Sequence, residues 1–251
     1  MRNALREIIA QKGLECNRSR LHNEDQLAVE FKDYPNADKY ADDFLFGYMV
    51  AKNEEMKKLG RPAKRDSVLR MNLAVALSPY RFNATFHQSP LNAGKSPWKN
   101  DSSSALIHKE ISWTDFQFPF ALSMDDCSNG VNGLKWSAVL LEAIGELANV
   151  AGGHARSYFE MSPRSIVLRV TESLVAGYNT YGFCEDGSFS ELERINENDL
   201  PGREFLIGGD LVRTMPVEQK EKLKSQGVRL FENPQVLLKS VTEEHMLAGV
   251  K

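Results

Sequence analysis

The fold of this 251-residue chain is decided at residues 152–169, which read GGHARSYFEMSPRSIVLR. This stretch runs into residues 166–170, whose branched aliphatic side chains predict a β-strand. The two glycines end a helix predicted for residues 133–150, with Asn132 as its N-cap. Glycines let backbone amides approach a phosphate closely, and Arg156 can donate two parallel hydrogen bonds to its oxygens. The alternative is a glycine helix end followed by an ordinary surface arginine.

Working outward, apolar side chains recur at helical or strand spacing along most of the chain. The predicted helices cover residues 2–12, 36–49 (capped by Asn36), 133–150 and 216–226. The predicted strands cover residues 67–77, 111–122, 166–170 and 228–231, and the predicted loops cover residues 14–35, 89–104 and 184–203. Because strands and helices interleave without regular alternation, we expect an α+β fold with a mostly antiparallel sheet.

The composition is that of a folded globular protein, with 42% hydrophobic and 26% charged residues. No uninterrupted apolar run reaches the roughly 18 to 20 residues of a membrane helix. Residues 1–6 lack the apolar core of a secretory signal. The three cysteines are far apart and form no Cys-x-x-Cys pair, which argues against disulfides and zinc. These features predict a cytoplasmic protein without a membrane partner.

The charge is distributed unevenly along the chain. Residues 57–109 contain ten basic and two acidic residues, a local charge of +8, whereas the whole chain carries −3 and the remainder therefore −11. Such asymmetry indicates one region that faces a polyanion on an otherwise acidic body. A solvated basic face balanced by acidic partners is the alternative.

No residue pattern indicates catalysis. The five histidines lie in no nucleophile elbow, His-x-x-x-His pair or phosphate-binding loop. We expect the acidic pairs Asp42–Asp43 and Asp125–Asp126 to be solvated helix caps, since adjacent helical residues point in different directions. Residues 208–210 (Gly-Gly-Asp) read as a turn. The sequence therefore predicts no catalytic residue, no metal and no cofactor.

Residues 81–99 combine basic side chains with flat ones in a turn-rich segment. The flat side chains are Phe82, Phe86, His87 and Trp98. Basic groups beside flat side chains can neutralise phosphates while stacking on bases or wedging between them. The alternative places Phe86 and Trp98 in a small satellite core.

Five stretches together carry a family resemblance. They are residues 17–25 (NRSRLHNED), 64–72 (KRDSVLRMN), 87–91 (HQSPL), 104–110 (SALIHKE) and 152–169. They resemble the DevR-type branch of the CRISPR-associated backbone family (Cas seven family), the backbone subunits of type I Cascade complexes, with type I-B nearest. The resemblance spans most of residues 1–210.

The resemblance implies a single domain with a hand-like fold. Its parts would be an RRM-like (ferredoxin-like) antiparallel palm (residues 1–14, 71–81 and 111–251), an inserted helical finger region (15–70) and a β-hairpin thumb (82–110). The family has a strand before the helix that begins here near Arg2, so we expect the first palm strand to be missing and a sheet edge to be unpaired.

The resemblance also implies a non-catalytic subunit that forms a helical filament along a CRISPR guide RNA and supports RNA-guided recognition of target DNA. The implied partners are guide RNA, target DNA through the guide, further copies of the chain, other Cascade subunits, and a nuclease or transposition proteins recruited by the complex. The predicted RNA contacts are Lys64, Arg65, Arg70, His87, Gln88, Lys95, Trp98, Lys99, His108, Lys109, Gly152, Gly153, His154, Arg156 and Arg164, with Phe86, His87 and Trp98 as wedges.

Two other functions are weighed against this one. A guide-processing endoribonuclease of the related RAMP superfamily would use His154 as general acid or base. It would need a second positioned acid or base, and the local sequence offers only Arg156 and Tyr158. A DNA-binding autoregulator would need a recognition helix with a basic face, and none is evident.

Overall fold

The computed structural model describes residues 1–23, 26–51, 53–88, 106–112, 114–148 and 160–248. The α-helices are α1 (Arg2–Gln11), α2 (Ala41–Phe46), α3 (Asn53–Lys58), α4 (Met124–Ser128), α5 (Gly133–Gly145), α6 (Leu192–Asn196), α7 (Asp210–Thr214), α8 (Val217–Ser225) and α9 (Pro234–Val241), with a 3-10 turn at Gly202–Glu204 and a π-helical turn at Thr242–Met246. No helix in these ranges has the length and apolar character needed to cross a membrane.

The strands are short and form six separate sheets within the described ranges. They are β1 (Arg18–Asn23), β2 (Gln26–Phe31), β3 (Tyr48–Met49), β4 (Lys64–Arg65), β5 (Arg70–Met71), β6 (Val75–Ala76), β7 (Asn83–Gln88), β8 (Leu106–Ile111), β9 (Phe116–Gln117), β10 (Phe120–Ala121), β11 (Ser165–Arg169), β12 (Phe205–Gly209) and β13 (Arg229–Phe231). The predicted α+β class with antiparallel pairing is confirmed, because every strand pair except β12–β13 is antiparallel.

The sheet β11–β12–β13 separates two apolar clusters. On one face Leu206 and Ile166 pack with helices α1, α5 and α9, around fully buried side chains such as Leu5 and Ile144. On the other face Phe205 and Ile207 pack with α6, α7 and α8. The strands predicted at residues 166–170 and 228–231 are confirmed as the two outer strands of this sheet.

Residues 184–203 contribute to the second cluster and are not the exposed loop that their acidic character suggested. Leu192 and Ile195 of α6 are buried, and so is Leu200. The acidic side chains lie around this helix while its few apolar ones point inward. The prediction was wrong because only two apolar side chains, Leu192 and Ile195, mark the buried face of this short helix among many charged residues.

The strands predicted at residues 67–77 and 111–122 form one interrupted ribbon. Met71 pairs with Phe120, yet Val75 pairs with Gln117, so two residues, Leu73 and Ala74, oppose Phe118 alone. This two-against-one arrangement is a β-bulge, which divides each predicted strand into two short ones. Leu73 in the bulge is 81% exposed.

Two hairpins and one strand pair complete the structure. Strands β1 and β2 form a hairpin within residues 14–35, where the sequence suggested an irregular segment. Strands β7 and β8 pair antiparallel, as predicted for a hairpin on either side of residues 89–104. Strands β3 and β4 form a short antiparallel pair beside α2.

Two predicted helix boundaries were wrong. Tyr40, and not Asn36, is the N-cap of α2, and the helix ends at Gly47. Helix α5 ends at Gly145, well before the glycine pair, because Ala148 leaves the helical path to form a β-bridge with Glu160. Asn132 occupies the N-cap position of α5 but its side chain makes no capping hydrogen bond. Helices α1 and α8 lie where they were predicted.

Residues 208–210 form the end of β12 and the start of α7 instead of a surface turn. Gly209 is buried with φ +92°, and a Cβ atom there would lie 2.0 Å from the carbonyl oxygen of Arg164. The strand can therefore pass this close to residue 164 only because residue 209 has no side chain.

Candidate nucleic-acid interface

The hairpin β7–β8 displays three flat side chains that we call the aromatic stripe: Phe82, Phe86 and His108. The register pairs Phe86 with His108, and their rings stack with centroids 5.0 Å apart at 28°. The rings of Phe82 and His108 are 6.4 Å apart. Phe86 is 68% exposed and Phe82 is 65% exposed. The satellite-core alternative is therefore wrong for Phe86, whose ring faces solvent.

Most of the RNA contacts predicted on this hairpin and on the glycine-rich segment are not residues of the aromatic stripe. Strands β7 and β8 contain His87, Gln88 and Lys109, and the register pairs His87 with Ile107 and Lys109 with Thr85. The other predicted contacts on this hairpin and on the glycine-rich segment lie outside the described residues: Lys95, Trp98, Lys99, Gly152, Gly153, His154 and Arg156. Their assignment as RNA contacts stays a prediction.

Strand β4 holds two predicted contacts in different environments. The Nζ of Lys64 lies 3.3 Å from a carboxylate oxygen of Asp66, and both side chains are largely solvated. The guanidinium of Arg65 instead lies 4.7 Å from the centre of the Phe44 ring, with its Nε buried and without a hydrogen-bond partner. Lys64 is thus solvated but paired with Asp66, whereas the Arg65 guanidinium packs on the buried ring of Phe44.

Arg70 and Arg164 are exposed but already paired with carboxylates. Arg70 Nη2 lies 2.7 Å from Asp126 Oδ2. Arg164 Nε lies 3.1 Å from Asp210 and its Nη1 lies 3.2 Å from Asp115. The hydrogen bond to Asp210 and the negative charges of both aspartates raise the pKa of the Arg164 guanidinium. Either arginine would have to exchange a carboxylate for a phosphate, which reduces the net gain from RNA binding.

The acidic pair on α2 lies in an environment that its sequence did not predict. Asp42 and Asp43 are fully buried and are not solvated caps. Asp42 accepts hydrogen bonds from the backbone amides of Asn17 (2.7 Å) and Arg18 (3.1 Å) and from Arg6 Nε (3.0 Å). These three hydrogen bonds hold Arg18, the first residue of β1, against α1 and α2.

The second aspartate of this pair, Asp43, links Asn17 to Asn36 through its carboxylate. Asp43 accepts hydrogen bonds from the side-chain amide of Asn17 (2.8 Å) and the backbone amide of Asn36 (3.0 Å). Burial raises the pKa of Asp43, although these hydrogen bonds oppose the rise. We call these contacts the Asp42–Asp43 network. One signal in the sequence could have pointed to this network, because Asn17 and Arg18 begin one of the five stretches that carry the family resemblance.

Within the described ranges, no group of three or more His, Cys, Asp and Glu side chains is arranged to hold a metal ion. The thiol of Cys16 is buried, and desolvation raises its pKa to about 12, so it is a thiol and not a nucleophilic thiolate at neutral pH. The observation that bears on binding is the exposed stack of Phe86 and His108, since bases of a single-stranded nucleic acid can stack on such rings.

Comparison with known proteins gives a curated relative. No family model matches the chain. The chain is 29% identical over 194 residues to "CRISPR-associated protein Cas7/Cst2/DevR" of Myxococcus xanthus (strain DK1622), a match that covers 73% of this chain and 62% of the relative. The chain thus spans less than two thirds of the length of the curated relative.

The chain is therefore similar in sequence to a CRISPR-associated protein. It is a homologue of Cas7/Cst2/DevR, as the resemblance in its sequence indicated. Among solved structures, the chain aligns with a subunit of a "CRISPR RNA-guided surveillance complex, pre-nicking", with a TM-score of 0.49 and 14% identity, over 81% of this chain and 55% of the other.

Proposed function

We propose that this chain is a non-catalytic, guide-RNA-binding backbone subunit of a CRISPR surveillance complex of the Cascade kind. In this role, copies of the chain line up along the guide RNA and hold its sugar–phosphate backbone. The guide then reads target DNA by base pairing, and the protein needs no base-specific contacts of its own. The observation that carries the proposal is the homology to Cas7/Cst2/DevR over 194 residues.

The aromatic stripe supports this role. An exposed stack of Phe86 and His108 on a hairpin is a surface on which a base can stack, and such stacking tolerates any base. The hairpin follows residues 57–81, which carry seven basic side chains and one acidic one. Flat side chains beside cationic ones are complementary to a single-stranded nucleic acid, whose phosphates are negatively charged and whose unpaired bases can stack.

We assign the hairpin at residues 82–110 as the thumb, residues 15–70 as the fingers and the remainder as an RRM-like palm. The sheet β11–β12–β13 with its packed helices would be part of that palm. Guide RNA would lie across the thumb and the glycine-rich segment at residues 152–156. Other Cascade subunits, together with a nuclease or transposition proteins, would complete a cytoplasmic complex of the type I-B kind.

The test is binding of a fluorescently labelled, guide-length single-stranded RNA by the purified chain, measured by anisotropy and light scattering. We expect binding with little sequence preference, and assembly of several copies on each RNA. Phe86→Ala should weaken binding by roughly 5- to 150-fold, the range for losing one base stack worth about 1–3 kcal/mol. Leu174→Ala removes a wholly exposed apolar side chain elsewhere and should change nothing.

Two results would contradict the proposal. One is a chain that remains a monomer and ignores RNA at low salt. The other is RNA cleavage that falls about a hundredfold or more in His154→Ala, the loss expected for a general acid or base. The second result would favour the endoribonuclease alternative, whereas we expect no cleavage by either form.

A further inference from the structure

The loop at residues 171–177, which we call the Leu174 loop, presents two adjacent aliphatic side chains to solvent. Leu174 is 102% exposed and Val175 is 67% exposed. Single exposed apolar residues are common on protein surfaces, whereas adjacent ones concentrate apolar area at one point. The loop therefore has an apolar tip that no described residue of this chain covers.

Hydrogen bonds hold the first half of this loop in a defined shape. The backbone amide of Ser173 donates to Thr171 Oγ1 at 3.1 Å, and the backbone amide of Val175 donates to Ser173 Oγ at 3.4 Å. The backbone on either side of Leu174 is thus fixed by side chains of the loop itself.

Two arginines hold the second half of the loop. Arg169 donates to the carbonyl of Ala176, and Arg194 Nη1 donates to the carbonyl of Gly177 at 3.3 Å. Arg169 is itself held by an ion pair with Glu204 at 2.7 Å. A tip that is ordered before binding loses little conformational entropy when it enters a partner's pocket. The apolar tip is therefore preorganised.

The surroundings of the loop are acidic. Residues 171–199 contain seven acidic residues and one basic residue, a local charge of −6. The basic residue is Arg194, whose charge is matched by Glu191 at 2.7 Å and Asp199 at 2.6 Å. Interfaces commonly combine an apolar centre with a polar rim whose charges are complementary to those of the partner. A partner for this surface should therefore offer an apolar pocket rimmed by basic side chains.

The same charges decide whether this partner is a second copy of the chain. Two copies that met through their Leu174 loops would bring two acidic surfaces together, which like-charge repulsion opposes. The basic segment at residues 57–81 of a second copy, with seven basic residues and one acidic one, is assigned above to the phosphates of the guide RNA. The occupant that remains is a different protein.

We propose that the Leu174 loop docks a different protein subunit of the complex, which receives Leu174 and Val175 in an apolar pocket rimmed by basic side chains. This inference rests on the proposed function, because that function places the chain in an assembly of several proteins. It adds a surface that contacts neither the RNA nor further copies of the chain. Substitutions at the tip should thus separate the binding of this subunit from the binding of RNA.

The test uses the complex purified through an affinity tag on this chain, after co-expression with a guide RNA and the proteins encoded beside its gene. Native mass spectrometry over a dilution series measures the dissociation constant of each different subunit. Leu174→Asp and Val175→Asp should each raise that constant for one such subunit by at least about 10- to 150-fold, the effect of losing the burial of one aliphatic side chain. The RNA content and the number of copies of the chain should not change.

Val131→Asp is the matched control, because Val131 lies on the turn between α4 and α5 and is 96% exposed. It should keep every subunit. Glu172→Gln removes an exposed acidic charge beside the tip and should raise the same dissociation constant by up to about fivefold. Unchanged or tighter binding by Glu172→Gln would overturn the basic rim.

Several outcomes would overturn the inference as a whole. One is that Leu174→Asp keeps every subunit, and another is that Val131→Asp loses the same subunit. Loss of RNA or of copies of the chain in Leu174→Asp would make the loop a contact for RNA or for a second copy. A wild-type chain that carries guide RNA but no different subunit would overturn the inference and leave the proposed function intact, whereas a complex without RNA would contradict the proposed function.

Discussion

The buried carboxylate of Asp42 accepts the backbone amide of Asn17 at 2.7 Å, and this contact joins two segments that are 25 residues apart in the chain. The contact fixes where β1 begins relative to α2. Since Asp42 also accepts hydrogen bonds from Arg18 and Arg6, one side chain satisfies three donors at the base of the β1–β2 hairpin.

Asp42→Ala should therefore destabilise the protein strongly. It leaves two backbone amides and the Arg6 guanidinium without their acceptor, and breaking a buried charged pair costs about 3–5 kcal/mol. The measurement is the free energy of unfolding in urea. Asp66→Ala is the matched control, because Asp66 pairs with Lys64 in solvent. Its cost should stay within about 0.5 kcal/mol, and equal losses in the two variants would disprove the role of the network.

Asp43 should make the stability of the protein depend on pH in an unusual direction. Its pKa is raised by burial, so the folded protein holds this proton more tightly than the unfolded chain, whose aspartates have a pKa of about 3.9. Lowering the pH from 7 through the raised pKa should thus stabilise the wild type relative to Asp43→Asn, with no further change below about 3.9. Urea unfolding of both proteins across this pH range measures the difference. A difference that is constant or has the opposite sign would contradict the prediction.

Gly209→Ala should be poorly tolerated. The new Cβ would lie 2.0 Å from the carbonyl oxygen of Arg164, and φ is +92°. Gly187 has a similar φ of +82° with nothing within 4 Å, so Gly187→Ala measures the cost of the backbone conformation alone. We expect Gly209→Ala to lose about 1–3 kcal/mol more than this control, the typical cost of forced overpacking. Calorimetric unfolding would show the gap, and its absence would mean that β12 can move away from Arg164.

Asp126→Asn should strengthen RNA binding if Arg70 contacts a phosphate. The change removes the carboxylate that occupies Arg70 at 2.7 Å, and an exposed pair of this kind is worth about 0.2–1 kcal/mol, or up to about fivefold in affinity. Asp125→Asn makes the same change in net charge one residue away, where no ion pair is found within the described residues. The gain should vanish in an Arg70→Ala background, and a gain that persists there would remove Arg70 from the interface.

Arg156 should contribute a phosphate contact that is independent of sequence. Arg156→Ala should weaken RNA binding about equally for every guide, because phosphate contacts carry no base information. It should also reduce the slope of log affinity against log salt by roughly 0.7 per protomer. Arg156→Lys should keep the slope but lose some affinity, since lysine keeps the charge without the bidentate geometry. An unchanged slope in a folded Arg156→Ala protein would make Arg156 an ordinary surface residue.

The sequence by itself determined the elements whose information is local. Helix α1 follows from the spacing of Leu5 and Ile9, and strand β11 follows from the aliphatic run beginning at Ile166. The similarity to Cas7/Cst2/DevR could also be recognised from the sequence. The exposed position of Phe86 could be suspected from its basic, turn-rich surroundings, but the competing core assignment could be removed only by the structure.

The tertiary structure alone decided the features that depend on distant partners. The sequence suggested that Asp42 and Asp43 are solvated. Whether a carboxylate can be buried depends on hydrogen-bond donors, here Asn17 and Arg6, and local spacing does not reveal such distant partners. The bulge at Leu73 depends on a register set by a strand more than 40 residues away. Likewise, alternation along β11 gives two sets of backbone groups, and only the pairing with β12 determines which set is bonded to a neighbouring strand.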